Sequence, residues 1–230
     1  MEHGTVVVLT PAGRLDLSTY GEFRDGILRQ IAEQPSAVVI VLGQGFELGS
    51  DPLTRVFATV WLRTRRWSGT PLILVAATGP HRLMIVRTGL SRFLPCFDRL
   101  EAALATTATP PGHRREEAQL PPGVDAPHLA RDFIRHTCTA WDLRPQTPRA
   151  VVVGNHLVEN VLGTTDASLT VRLDLVPDRL TIAVRHRGPP LGPGAPPDLT
   201  GVLRLATGCG HIPTVDGGIV LWALIALSPT

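Results

Sequence analysis

The chain has 230 residues, room for two domains of ordinary size, and 43% of them are hydrophobic, enough to fill real cores. Its 22 basic residues stand against 20 acidic ones, a net charge of +2 that is scattered rather than striped, so nucleic acid is not an expected partner. All 22 are Arg, which excludes a phosphate-loop lysine or a Schiff-base lysine and the enzyme classes built on them.

Cys96, Cys138 and Cys209 are too few and too far apart for a disulfide framework and are read as free thiols of a reducing compartment. His136, Cys138, Cys209 and His211 supply four zinc-ligand types, but at spacings shorter than structural zinc sites use, so buried thiols are the preferred reading. Met1-Glu2-His3-Gly4 lacks a basic-then-apolar export pattern, and no apolar run reaches membrane-spanning length. The expected location is the cytoplasm, with no membrane partner.

Residues 5–9 form a β-branched run, Gly13-Arg14-Leu15 follows as a strand or turn, and 20–33 is rich in helix formers. Residues 37–42 read as a buried strand. Leu53, Val56, Phe57, Val60, Trp61, Thr64 and Trp67 then recur at helical spacing. Between them, Ser50 or Asp51 is placed to cap the helix, with Pro52 suited to its first position. The free N–H groups there would equally receive a phosphoryl group on Ser50, so cap and regulatory site look alike. A buried strand at 71–77, a helix at 82–88 closed by Gly89 and a helix at 98–105, with Leu100, Ala103 and Leu104 on one face, complete the half. Such alternation argues for an α/β domain over residues 1–106.

From 106 to 127 periodicity stops and Thr, Pro and Gly dominate; Arg114-Arg115-Glu116-Glu117 reads as a solvated charge run, and 107–125 is assigned as a linker. In the remaining half, 126–230, helices are expected at 128–141, with Leu129, Phe133 and Trp141 on one side, and at 148–162. Leu169, Val171, Leu173 and Leu175 alternate, Pro177-Asp178 turns the chain, and Leu180, Ile182 and Val184 return. A Pro/Gly-rich loop at 188–197, a short segment at 201–206 and a closing strand at 219–227 complete the order. It suggests an α+β sandwich, with helices on one face of a mostly antiparallel sheet.

Over residues 5–105 the chain resembles the STAS domains of bacterial anti-sigma-factor antagonists, on Gly13-Arg14-Leu15-Asp16, the strand 38–42, Arg87-Thr88-Gly89-Leu90, Phe93-Leu94-Pro95 and Phe97-Asp98. In that family a Ser or Thr in the turn opening the helix after the strand is phosphorylated by a partner kinase. Here the turn reads Gly49-Ser50-Asp51-Pro52-Leu53, with Asp51 at the usual acceptor position and Ser50 one place before it. The resemblance implies Ser50 as phosphorylation site and Asp51 as the alternative position, where a fixed carboxylate would imitate a phosphate in part.

Residues 124–227 resemble the GHKL-type ATP-binding domain of anti-sigma factors and serine kinases, on Ala130-Arg131-Asp132-Phe133, Trp141 and 152–160. Active members carry a Glu and an Asn one helical turn apart, the Asn for magnesium and the Glu to orient the nucleophile. Here Asn160 is kept and His156 stands at the Glu position; Glu159 lies one place from the matching carboxylate. A purely structural role, in which His156 and Asn160 pair with each other or with backbone, fits the same residues equally well. The family's adenine-reading Asp-x-Gly is His186-Arg187-Gly188, where His186 is a weaker acceptor or simply a half-buried histidine. The glycine lid is reduced to Thr200-Gly201-Val202-Leu203. His186, Gly188 and Gly201 are therefore the nucleotide-binding residues implied, Asn160 the magnesium ligand, and no confident catalytic residue remains. Neither ATP nor magnesium is expected as a working cofactor.

The resulting expectation is a regulatory binding protein of a partner-switching pathway that controls a sigma factor. Its expected partners are an anti-sigma factor, a sigma factor, a homologous STAS or GHKL regulator, or a second copy as a homodimer. The alternative is an ATP-dependent protein serine kinase, or anti-sigma factor, whose drifted site still works.

Overall fold

The computed structural model describes residues 5–107, 113–162, 165–188 and 197–227. It divides into two compact units, Met1–Thr109 and Pro110–Thr230. Part of the expected linker, 108–112, and most of the expected Pro/Gly loop, 189–196, lie outside the described residues, as do 1–4.

In the first unit β1 (Val6–Leu9), β3 (Ala37–Leu42), β5 (Leu72–Ala76) and β6 (Cys96–Phe97) form a parallel sheet in the order β1-β3-β5-β6. A second, two-stranded parallel ribbon joins β2 (Gly13–Leu15) to β4 (Phe46–Leu48). Helices α1 (Tyr20–Ala32), α2 (Arg55–Trp67) and α3 (Gly79–Thr88) connect its strands, and α4 (Leu100–Leu104) follows the last of them. All of β5 and five of the six residues of β3 are buried, as expected of strands covered on both faces. Val39, Ile73 and Val75 pack with Ala103 of α4 and with Leu100, whereas Leu104 is exposed, so only two of the three residues expected on that face serve the core. β4 and β6 were not legible in the sequence because two or three residues carry no usable period.

In the second unit a fully antiparallel sheet runs β10-β11-β9-β8-β7. Its strands are β7 (Arg114–Leu120), β8 (Leu169–Val176), β9 (Arg179–His186), β10 (Gly208–Pro213) and β11 (Ile219–Ala226). Helices α5 (Ala126–Ala140) and α6 (Thr147–Leu162) pack on the face carrying Leu169, Val171, Leu173, Leu180, Ile182 and Val184, and the short α7 (Thr200–Leu203) joins the same core. The α+β expectation stands.

Two expectations are corrected. Residues 107–125 are not all linker, because β7 lies inside them and pairs with β8 from Arg114↔Leu175 to Leu120↔Leu169. Arg114, Glu116 and Glu117 are exposed, as an edge strand tolerates, while Arg115 turns to Asp174 of β8. The buried stripe of α5 is Ala126, Ala130, Ile134, Thr137 and Cys138; Phe133 and Trp141 flank it, and Leu129 is exposed.

Candidate functional site

The turn after β4 is held from three directions. Gly49 donates its N–H to the Leu15 carbonyl at 2.9 Å, and a Cβ at residue 49 would stand 2.9 Å from that same oxygen, so only glycine fits this approach of the β2–β4 ribbon. Below it, Phe46 stacks with Phe23 of α1 at 5.8 Å between centroids, and Phe23 meets Phe57 of α2 edge-on at 5.8 Å. To the side lies His81 of α3, buried, with Nε2 3.1 Å from the Phe46 carbonyl oxygen and Nδ1 2.7 Å from Thr78 Oγ1. A carbonyl only accepts, so the proton of the neutral ring sits on Nε2 and Nδ1 accepts from the Thr78 hydroxyl. Thr78 in turn accepts from the His81 backbone N–H as N-cap of α3.

On this base the chain leaves β4, passes the exposed Ser50, and enters a 3₁₀ turn, Asp51–Thr54, that leads into α2. The cap expected from the Ser50 or Asp51 side chain is not made. Ser50 is extended, with φ −162° and ψ 153°, and its hydroxyl makes no capping hydrogen bond. Asp51 turns instead to Arg87 of α3, whose Nη2 lies 2.6 Å from its Oδ1, both side chains being about half-exposed. Local sequence favours a cap, but the α3 guanidinium is a fully charged donor and takes the carboxylate that would otherwise accept from backbone N–H groups. Ser50 is thus left as a free hydroxyl, and the Asp51 charge is already paired rather than displayed.

The second unit places its implied site residues less favourably. Asn160 Nδ2 donates to the His156 carbonyl at 3.0 Å, one turn back on α6, so its amide serves the helix. His156 is partly exposed, with Nδ1 3.8 Å from Glu159 Oε2. His186 shares the core face as its alternation implied, but it is 1% exposed rather than half-buried, paired across the sheet with Leu169 and Ile219. Gly188 has φ +75°. Gly201 lies beside His156: a Cβ there would be 3.8 Å from the imidazole. The segment around it is packed inward. Val202 is fully buried, Leu199, Leu205 and Ala206 lie against the core, and Arg149 Nε of α6 donates to the Leu205 carbonyl. Backbone N–H groups of Leu205 and Ala206 close onto the Val202 carbonyl. His156 and Gly201 are therefore brought together, while Asn160 is turned to backbone.

Of the zinc-ligand types, His136 is exposed and Cys138 buried, and no group of three or more His, Cys, Asp or Glu able to hold a metal occurs among the described residues. Burial pushes the Cys96 thiol up to about 11 and raises Cys138 and Cys209 as well, so none is an activated nucleophile.

One buried ionic cluster was not expected from the sequence. On β8, Arg172 Nε donates to Asp174 Oδ2 at 2.7 Å, while Arg115 Nε at 2.6 Å and His113 Nε2 at 3.0 Å bond Oδ1. Burial alone would raise the Asp174 carboxyl, but Arg172, His113 and Arg115 hold it at about 2; burial pushes Arg172 down to about 10 despite Asp174. Its only sequence signal was a pair of charges at the off-face positions of an otherwise apolar alternation.

No helix among the described residues is long and apolar enough to cross a membrane. No protein-family model and no curated protein sequence matches the chain. A solved structure, the crystal structure of an anti-sigma factor antagonist from Mycobacterium paratuberculosis, is similar to 47% of this chain and 91% of its own length, at 25% identity and a TM-score of 0.38. A likeness at that score decides neither fold nor function.

Proposed function

We propose that the chain is a two-unit regulator of a bacterial partner-switching pathway that controls a sigma factor, and that it acts by binding. The first unit docks on an anti-sigma factor through the turn 49–53, and the second is a GHKL-like module without a working nucleotide site. The observation that carries this reading is the exposed Ser50–Asp51 turn leading into α2, with a free Ser50 hydroxyl on a rigidly braced base. The residue order from Gly13 to Asp98 supports it. The serine-kinase alternative rests on Asn160, whose amide is engaged by its own helix, and on a lid segment that is packed into the core.

The test is calorimetric binding to GHKL-type anti-sigma factors. Ser50→Asp places a new, unpaired charge at the contact and is expected to weaken binding about tenfold or more. Asp51→Ser removes a charge that Arg87 already neutralises and is expected to change binding less than threefold, roughly 0.6 kcal/mol. Should Asp51→Ser strengthen binding strongly while Ser50→Asp is silent, Asp51 is the imitation phosphate and the turn is read one residue out of register. Absence of binding to every anti-sigma factor tried, with low-micromolar magnesium-ATP binding in its place, would favour the kinase.

A further inference from the structure

The near-even charge balance of the whole chain conceals a local excess. Residues 52–97 carry seven arginines and no Asp or Glu, a formal +7 inside a chain whose total is +2. The strand in that stretch, β5, is buried throughout, and the arginines fall on α2, on α3 and on the 3₁₀ turn Leu90–Arg92. In the middle of α2 they meet an aromatic pair. Arg65 Cζ lies 4.8 Å from the ring centroid of Trp61, one helical turn back, and Trp61 meets Phe93 edge-on at 5.7 Å between centroids. Arg65, Arg92 and Phe93 are exposed, Phe93 to 50%, whereas Trp61 is half-buried. Arg87 is taken by Asp51 and Arg63 acts on Asp25 of α1, but neither Arg65 nor Arg92 has an ion-pair partner among the described residues.

We propose that the Trp61–Arg65–Phe93 platform is a docking site for a segment of a protein partner in which a carboxylate side chain stands next to a bulky apolar one. A guanidinium laid on an indole ring keeps its N–H edge free, and a carboxylate lying in the guanidinium plane accepts two of those hydrogens at once. The stretch holds no acid of its own, so the charge that complements Arg65 is a partner's to supply. The exposed Phe93 ring receives the apolar neighbour, and Arg92 just before it adds a second positive charge that steers an acidic segment toward the platform. A nucleic-acid strand fits less well, because base stacking needs an open ring face and Arg65 lies over that of Trp61. A bilayer also fits less well, because the tryptophan that would anchor in its interface is half-buried in the protein.

The platform is measured without any pathway component, so it stands or falls separately from the regulatory role proposed above. The chain has four tryptophans, and the indole N–H signal of Trp61 is identified as the one that Trp61→Phe removes. The full chain is titrated with the acetylated, amidated hexapeptide Glu-Phe-Asp-Glu-Leu-Asp and, separately, with its uncharged counterpart Gln-Phe-Asn-Gln-Leu-Asn. A saturating shift of the Trp61 signal is expected with the first, and binding at least tenfold weaker with the second. Arg65→Gln, at an exposed position that leaves the fold intact, is expected to weaken the acidic peptide about tenfold, and Phe93→Ser by a similar factor. Arg55→Gln removes an equal charge from the start of α2 and is expected to change binding less than twofold. The platform is ruled out if the acidic peptide gives no saturating shift, if the uncharged peptide binds equally, or if Arg55→Gln costs as much as Arg65→Gln, which would mean diffuse charge rather than a site. Tighter binding of an oligothymidylate or of phosphatidylglycerol vesicles at the same Trp61 signal would overturn the choice of a protein segment.

Discussion

Asp174 shows how much a single carboxylate can be asked to hold. Two guanidiniums and an imidazole converge on it in a buried site, so its folded pKa of about 2 lies below the ordinary 3.8. A depressed acid stabilises the fold above its unfolded pKa and loses that contribution as pH falls through the folded one. About 2–3 kcal/mol should therefore be present above pH 4 and fade between about pH 4 and pH 2. Urea unfolding of residues 110–230 across that range should show the loss. Asp174→Asn should remove the pH dependence and cost on the order of 3–5 kcal/mol at pH 7, because it leaves the Arg172 guanidinium buried without its counter-charge. A variant as stable as the original at pH 7 would mean that the cluster is already hydrated. Arg87 teaches a related lesson. The sequence around Asp51 made a helix cap legible, yet the partner that decides its role lies 36 residues away and enters only through the tertiary fold.

At the scale of elements, legibility followed periodicity. β8 and β9 were readable because every second residue is apolar, and the same alternation put His186 on the core face. β7 was not, because Arg114-Arg115-Glu116-Glu117 has no apolar period; it is a strand by virtue of pairing with β8, where Arg115 finds a charged partner and Ala118 and Leu120 reach the apolar core. β10, with two glycines and a proline in six residues, was equally silent. The cost of losing β7 can be measured. A chain starting at residue 126 lacks it, opens the edge of β8, exposes the surface that buried Leu120 covers, and takes His113 and Arg115 from Asp174. Loss of the Leu120 burial alone is worth about 1.5–3 kcal/mol. Residues 110–230 are therefore expected to unfold cooperatively, whereas 126–230 should be less stable by at least that much or aggregate through the open edge. Equal stability of the two pieces would show that β7 contributes nothing.

At the scale of the whole chain, the division at 109/110 falls inside the Thr-, Pro- and Gly-rich stretch assigned as linker from composition, but the extent of that linker was not legible, because the stretch contains the strand β7. Each unit has a core drawn from its own strands and helices: Val39, Ile73, Val75 and Ala103 in the first, Ile134, Val153, Leu173 and Ile182 in the second. Pieces of roughly 110 and 120 residues are of ordinary domain size and bury enough surface to fold unaided. Residues 1–109 and 110–230, produced separately, are expected to give one cooperative urea transition each, with slopes of about 1–3 kcal/mol/M as befits small domains. Superposed, the two curves should reproduce the unfolding of the full chain. If the full chain instead unfolds in a single transition steeper than either piece, the units stabilise one another, and binding at the 49–53 turn as proposed would have a direct thermodynamic route to the second unit. Coincident curves would show that neither unit contributes to the stability of the other.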